Sequence, residues 1–335
     1  MLARVSLPIA APSARPAKTP PRSVRLSLTD RCDLACVYCR PHRHDGYLEE
    51  KLGDAAFETM ARGLVRSGVR RVRLTGGEPL LHPDVVARVA FLAGLGLDDL
   101  AMTTNATRLA RLAAPLRRAG LRRLTISIDS LDPTRFFRLT RGGRLAEVLA
   151  GVEAAVAAGF DELKLNAVVL RGENDGELPD LVRWAWERGI VPRFIEVMKI
   201  GEGAAIGDAS LVTVAEMRVT LAALLEDDRA IVDPDRGPAR YVRARHDRAL
   251  RVGFISGTSD TYCAGCDRLR VSADGMLRPC LATNDGVAAR RAAETSEGAV
   301  ADAVVEAWSK KPDGDTWKGC TEASAASISI RAIGG

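Results

Sequence analysis

From residue 23 to about 200 the chain alternates between two hydrophobic rhythms. Short runs rich in Val, Ile and Leu, at Val24–Leu28, Arg70–Thr75, Asp99–Thr103, Arg123–Ile128, Leu163–Val169 and Pro192–Val197, read as strands. Between them, apolar residues return every three or four positions over about 51–67, 83–95, 108–119, 144–158 and 177–188, which predicts helices. The fourth helical stretch, LAEVLAGVEAAVAAG, ends on Gly159, a suitable residue just past a helix C-terminus. Strands that alternate with helices imply a parallel sheet with right-handed crossovers. Six such repeats predict either part of a β/α barrel or a doubly wound open sheet. In both, the functional loops follow the C-terminal ends of the strands.

After about residue 205 the alternation fades. A helix near 213–226 leads into the arginine-rich stretch DPDRGPARYVRARHDRALR and then to a cluster of cysteines, which reads as a second, smaller lobe. At the other end, residues 1–22 carry Arg4, Arg15, Lys18 and Arg22 and several prolines, and the first carboxylate in the chain is Asp30. This stretch reads as a flexible leader, with an organelle transit peptide as the alternative. The expected organisation is therefore a leader (1–22), an α/β domain (23–205) and a C-terminal lobe with its tail (206–335).

Composition narrows the class. The 335 residues are 47% hydrophobic and 27% charged, which is globular rather than disordered. No apolar stretch approaches the ~18 residues that a membrane-spanning helix needs. The net charge of +5 is too small for a protein that coats nucleic acid, yet sufficient to furnish a local anion pocket.

Cysteine placement is more telling. Six of the seven cysteines fall into two triples, Cys32, Cys36, Cys39 and Cys263, Cys266, Cys280, while Cys320 stands alone. Such clusters point to metal binding in a reducing cytosol. The first triple, C-x3-C-x2-C, follows the first predicted strand. Thiolates are soft ligands that suit zinc or iron–sulfur clusters. A structural zinc site closes at four ligands, which here would require His42 or His44. A four-iron cluster held by three cysteines instead keeps one iron open to a substrate. The second triple, C-x2-C-x13-C, poses the same choice, with Cys320 as the candidate fourth zinc ligand. Arg268 and Arg270 alternate just after Cys266, so on an extended segment they share one face, and guanidinium forks match phosphate oxygens.

The loop after the second strand reads TGGEP (Thr75–Pro79). Its glycines let backbone approach closely, and Pro79 stiffens the turn. Together with C-x3-C-x2-C and Tyr38 ahead of the third cysteine, this loop resembles the radical S-adenosylmethionine superfamily. There a cluster's open iron chelates S-adenosylmethionine and cleaves it to a 5′-deoxyadenosyl radical. The second triple, the CDRLR block and the terminal Gly334–Gly335 narrow the resemblance to the GTP 3′,8-cyclases of molybdenum-cofactor biosynthesis, over about Arg25 to Gly335.

That resemblance implies a partial (βα)6 TIM-like barrel and two [4Fe-4S] clusters. Cys32, Cys36 and Cys39 would hold the radical-generating cluster, and Tyr38, Gly77, Ser127 and Met198 would line the S-adenosylmethionine site. Cys263, Cys266 and Cys280 would hold an auxiliary cluster whose open iron meets the guanine. Arg25, Arg73, Thr103, Lys164, Arg268 and Arg270 would bind GTP, with Arg71 and Arg193 as further candidates. Gly334–Gly335 would reach the active site. The implied reaction removes the ribose H3′, joins C3′ to C8, and yields (8S)-3′,8-cyclo-7,8-dihydroguanosine 5′-triphosphate. A cytoplasmic enzyme is expected, with a low-potential electron donor, the downstream cyclic pyranopterin monophosphate synthase and a second copy of itself as candidate partners, and no nucleic acid or membrane.

The residues support part of this independently. Arg25, Arg73 and Lys164 lie in strands of a parallel sheet, where an isolated cation has little room, so a cavity with phosphate counter-charges accounts for all three. The remaining readings are another two-cluster radical enzyme that modifies peptides, which usually carries more C-terminal cysteines, and a zinc-stabilised nucleotide-binding protein. Three positions depart from the family pattern: Ala106 replaces the glycine of a TNG turn, which argues against a positive φ there; Gly257 stands where a proline is common ahead of the second triple; and the tail SISIRAIGG is loose.

Overall fold

The computed structural model describes residues 21–40, 47–206, 208–227, 231–232 and 237–312. Strands β1 (Ser23–Ser27), β2 (Arg71–Thr75), β3 (Asp99–Thr104), β4 (Arg123–Ser127), β5 (Glu162–Val169) and β6 (Val191–Glu196) lie side by side in chain order, all parallel. Helices α1 (Asp54–Arg66), α2 (Val85–Ala93), α3 (Leu109–Arg118), α4 (Pro133–Thr140), α5 (Leu145–Ala158) and α6 (Leu178–Trp186) fill the crossovers. A doubly wound sheet must reverse its strand order at a switch point. This order never reverses, which resolves the alternative in favour of the partial barrel.

The sheet continues beyond six strands. After α7 (Glu202–Ile206) and α8 (Val214–Thr220), β9 (Arg251–Ile255) adds to β6 in parallel, and β10 (Arg268–Val271) adds in parallel to β1 at the opposite edge. Antiparallel strands then flank each side: β8 (Arg240–Arg243) and β7 (Ile231–Val232) beyond β9, β11 (Met276–Arg278) and β12 (Val287–Ala288) beyond β10. The segment expected as a smaller lobe thus extends both edges of one twelve-stranded sheet among the described residues. Helices α9 (Arg290–Thr295) and α10 (Glu297–Ser309) pack with α1.

Strand alternation decides what faces where. On β1, Val24 and Leu26 are buried in the core, and on β2, Val72 and Leu74 are too. The intervening Ser23, Arg25, Arg71 and Arg73 line a cavity on the other face. Successive side chains must point to opposite faces, so one face is apolar under the helices and the other is polar. Residues from β1 to β6, β9 and β10 all border that one cavity, which requires the sheet to curl around it.

Two differences from the expected elements have local causes. The helix expected over 213–226 stops at Thr220 because Leu225 bridges Ala244 and Glu226 N–H bonds the Arg243 carbonyl, drawing the chain into sheet pairing. Ala106 adopts a left-handed backbone, φ 63°, contrary to the expectation from its sequence. Thr104 Oγ1 accepts its N–H at 3.0 Å and fixes the turn, and its buried methyl lies against α5 at Gly151. A non-glycine residue pays roughly 1–2 kcal/mol for this geometry.

Candidate active site

The three loops at the C-terminal ends of β1, β2 and β3 are tied into one unit. Gly77 N–H bonds the Thr29 carbonyl and Glu78 N–H bonds the Arg31 carbonyl, both at 2.7 Å. A Cβ on Gly77 would sit 2.3 Å from Arg31 O. The glycines of TGGEP therefore admit the backbone that leads into Cys32, a protein segment rather than only a ligand. Glu78 then reaches the third loop: its carboxylate accepts from Thr104 Oγ1 and Asn105 N, each at 2.7 Å, and from Leu80 N at 3.0 Å. Burial pushes the Glu78 carboxyl up to about 7 while these donors pull it back. Asn105 Nδ2 donates to Asp33 Oδ1 at 2.8 Å and approaches Cys32 Sγ at 3.9 Å.

Cys32, Cys36 and Cys39 form no disulfide and line the cavity, whose volume is about 300 Å³. Tyr38, between the last two, donates to Asp129 Oδ2 at 2.7 Å, and Asp129 Oδ1 accepts from Val168 N at 2.8 Å, so the cysteine loop is moored to β4 and β5. Burial pushes the Asp129 carboxyl up to about 6. Burial also pushes the Cys32 and Cys36 thiols well up, with Glu78 and Asp129 respectively adding to the effect. Three soft donors converge where a thiolate is costly without a bound metal cation, a donor set that fits an iron–sulfur cluster.

A band of guanidiniums crosses the middle of the cavity. Arg25 is the register partner of Arg270 on one side and of Arg73 on the other. Burial, then the charges of Arg270, Arg268 and Arg73, push the Arg25 guanidinium well below its ordinary value. Burial and Arg193 bring Arg73 down to about 10, and burial and Arg268 do the same for Arg270. Arg193 reaches Thr125 Oγ1 at 3.1 Å, as does Arg73. Converging buried cations on one wall make an anion the natural occupant.

The second trio stands at the far end, just behind the wall. Cys263, Cys266 and Cys280 are each flanked by a residue that lines the cavity: Tyr262, Asp267 and Leu281. Burial opposes the Cys266 thiolate, yet Arg268 and Lys311 hold this thiol down at about 6. Cys263 moves the other way, raised by burial and by Cys266. Arg268 also lies 4.7 Å from the centre of the Tyr262 ring.

The two ends are joined by Glu196, the last residue of β6. Its buried carboxylate accepts from Val214 N at 2.8 Å, Thr258 N at 2.9 Å, Ser259 N at 2.8 Å, Ser259 Oγ at 2.5 Å and Ser256 Oγ at 3.2 Å. This fixes the loop that leads into Cys263. Within that loop Gly257 leaves room for Met198, whose Cγ would lie 2.6 Å from a Cβ there.

Comparison with known proteins agrees with this arrangement. Residues 26–185 match the Radical SAM superfamily, and residues 190–317 match the Molybdenum Cofactor Synthesis C family. The GTP 3′,8-cyclase 1 of Pseudomonas aeruginosa is 44% identical over 303 residues, covering 86% of this chain and 89% of that protein. The GTP 3′,8-cyclase of Marinobacter nauticus is 40% identical over 301 residues, covering 87% and 89%. The chain belongs to the GTP 3′,8-cyclase family. Membership in this family, within the radical S-adenosylmethionine superfamily, implies a [4Fe-4S] cluster and S-adenosylmethionine binding. Among solved structures, Streptococcus suis SuiB bound to S-adenosylmethionine has a TM-score of 0.60 at 16% identity. That match covers 88% of this chain and 65% of SuiB, so the chain spans a little under two thirds of SuiB, and at that identity it speaks to the fold alone.

Of the residues that the cyclase family resemblance singled out, Tyr38, Gly77, Ser127, Met198, Arg25, Arg73, Thr103, Arg268 and Arg270 all line the cavity with the first cysteine trio, as do Arg71 and Arg193. Lys164 does not. It is 2% exposed, its ammonium 2.8 Å from Glu162 and 5.9 Å from the Tyr241 ring centre, one layer below the lining. His42, His44, Cys320, Gly334, Gly335 and the leader lie outside the described residues. Asp129 and Glu196 were not singled out from the sequence, although each sits at a strand's C-terminal end, in TISID and FIEVM, where a carboxylate is a functional signal.

Proposed function

We propose that this chain is a radical S-adenosylmethionine GTP 3′,8-cyclase whose cavity holds the triphosphate between two iron–sulfur centres. The observation that carries the reading is the Arg270–Arg25–Arg73 row, three register-matched guanidiniums on adjacent strands, between a cysteine trio at one end and a second trio behind the other. The row matches a polyphosphate, and Arg268, Arg193 and Thr103 extend it. Cys32, Cys36 and Cys39 are the ligands of the radical-generating cluster, with Tyr38, Gly77, Ser127 and Met198 around the S-adenosylmethionine. Cys263, Cys266 and Cys280 are the ligands of an auxiliary [4Fe-4S] cluster that anchors the guanine.

When bound, the first cluster with S-adenosylmethionine would supply the radical chemistry that removes the ribose H3′, and joining C3′ to C8 would then take up one electron from the low-potential donor and one proton. The protein's own contribution is placement. A primary radical removes whichever hydrogen it meets first, so a triphosphate clamped by several forks selects the C3′ hydrogen. The curled sheet and the loops tied by Glu78, Asp129 and Glu196 keep solvent from the reacting atoms. A low-potential one-electron donor and the cyclic pyranopterin monophosphate synthase, which consumes the product, complete the proposed partners. Among the described residues no helix is long and apolar enough to cross a membrane.

The deciding experiment is anaerobic turnover of the reconstituted protein with S-adenosylmethionine, dithionite and GTP deuterated at C3′. Deuterium in 5′-deoxyadenosine together with a chromatographically new isomer of GTP is the expected result. Unlabelled 5′-deoxyadenosine would exclude C3′ as the site of abstraction.

A further inference from the structure

Lys311 follows α10 and lies near the end of the described chain, yet its side chain runs back to the second cysteine trio. All three ammonium donors are used: Cys266 Sγ at 3.3 Å, the Arg268 carbonyl at 3.0 Å and the Pro279 carbonyl at 2.5 Å. The ammonium also lies 5.2 Å from the centre of the Trp308 ring. These contacts join the two segments that carry the trio. Cys263 and Cys266 sit on the turn before β10, whereas Cys280 follows β11, and the short β10–β11 ladder connects the two arms. Pro279 precedes Cys280, and Arg268 lies two residues after Cys266. One ammonium therefore spans both arms of the trio.

We propose that Lys311 is a positioning residue of the auxiliary centre: it staples the Cys266 arm to the Cys280 arm and places a positive charge against one ligand sulfur. The inference rests on the auxiliary-cluster reading given above. Groups that donate to ligand sulfurs orient them and set the properties of a cluster. A compact ammonium with three divergent donors suits this place better than a planar fork, because its acceptors are a sulfur and two carbonyls in different directions.

The test uses the full chain as wild type, K311M and K311R, reconstituted anaerobically with iron and sulfide. Two readouts independent of turnover are followed for each cluster: the rate at which a chelator removes its iron, and its midpoint in an EPR-monitored redox titration. K311M is expected to release auxiliary iron roughly tenfold faster or more. Its auxiliary midpoint should move to more negative potential, with the radical-generating cluster unchanged in both respects. K311R should recover the midpoint but only part of the retention. Wild-type retention and midpoint at the auxiliary cluster of K311M overturn the proposal. Should K311M lose both clusters together by misfolding, K311R decides: auxiliary iron lost faster than radical-cluster iron supports the staple, and equal rates reject it. A wild-type protein that binds only about four irons would instead reject the auxiliary-cluster reading itself.

Discussion

Arg25 on β1 and Arg270 on β10 are register partners across a parallel strand pair, and both line the same cavity. The backbone ladder holds them side by side despite their like charge, so the repulsion is built into the fold and is relieved when an anion enters. Removing either guanidinium should therefore cost binding far more than folding. Arg25→Met and Arg270→Met are each expected to weaken GTP about 10–100-fold, from roughly 1.5–3 kcal/mol per charge-assisted contact, and to abolish most of the rise in Tm that GTP gives. Guanosine should be affected much less. Calorimetric titration with both ligands checks this; equal losses for GTP and guanosine would place the effect on folding instead.

The cysteine trios should separate two activities. Replacing Cys32, Cys36 or Cys39 by Ala removes a ligand at the cavity end moored by Tyr38 and Asp129, and should abolish reductive cleavage of S-adenosylmethionine. Replacing Cys263, Cys266 or Cys280 should leave that cleavage measurable but end GTP turnover. Iron content should fall from about eight to about four in either set. The measurements are 5′-deoxyadenosine formation with and without GTP, beside iron analysis. Full GTP turnover without the second trio would remove it from the reaction.

Much of this site was readable before the fold, and the reason lies in its residues. Strands β1 to β6 were found to within a residue or two because Val24, Leu26, Val72 and Leu74 mark the buried face against polar partners. The cysteine motifs and TGGEP carry their chemistry in local spacing. The missed parts depend on distant pairing. β12 is the two residues Val287–Ala288, with no period to detect, and β9 reads as a strand only once β6 is beside it. Helix α4 was overlooked although Asp132 and Pro133 announce it: Asp132 Oδ1 accepts the Arg135 N–H at 2.6 Å as an N-cap. Lys164 shows the converse limit. Strand position placed it correctly in a buried row, but an adjacent carboxylate two residues away, Glu162, takes up its ammonium.

Glu196 offers a test of how the two ends are coupled. Its carboxylate accepts from backbone N–H groups of Val214, Thr258 and Ser259 and from two serine hydroxyls. Glu196→Gln keeps the volume but turns an NH2 group toward donors, leaving at least one buried group unsatisfied. The expected loss is about 2–3 kcal/mol of stability, read from denaturant unfolding. Because the loop from Ser256 leads to Cys263 and cradles Met198, iron at the second trio should be retained less well than iron at the first. Uniform loss at both centres would show that Glu196 serves the fold without directing that loop.

Glu162 predicts a pH dependence with a definite sign. Its carboxylate lies 2.8 Å from Lys164, 3.1 Å from Arg123 and 3.2 Å from Arg251. Burial works against the charge, but Lys164 and Arg123 outweigh it and hold this carboxyl at about 2. An unfolded glutamate titrates near ~4.3. A group whose folded value is depressed contributes stability above its unfolded value and loses that contribution as pH falls toward the folded one. Glu162→Gln should accordingly be less stable than wild type at pH 7, and the gap should narrow steadily between about pH 4.5 and 2. Denaturant unfolding of the two full-length proteins across that window supplies the comparison. A gap that stays constant with pH would mean that Glu162 acts through shape and packing, and that Lys164 and Arg123 find their counter-charge elsewhere.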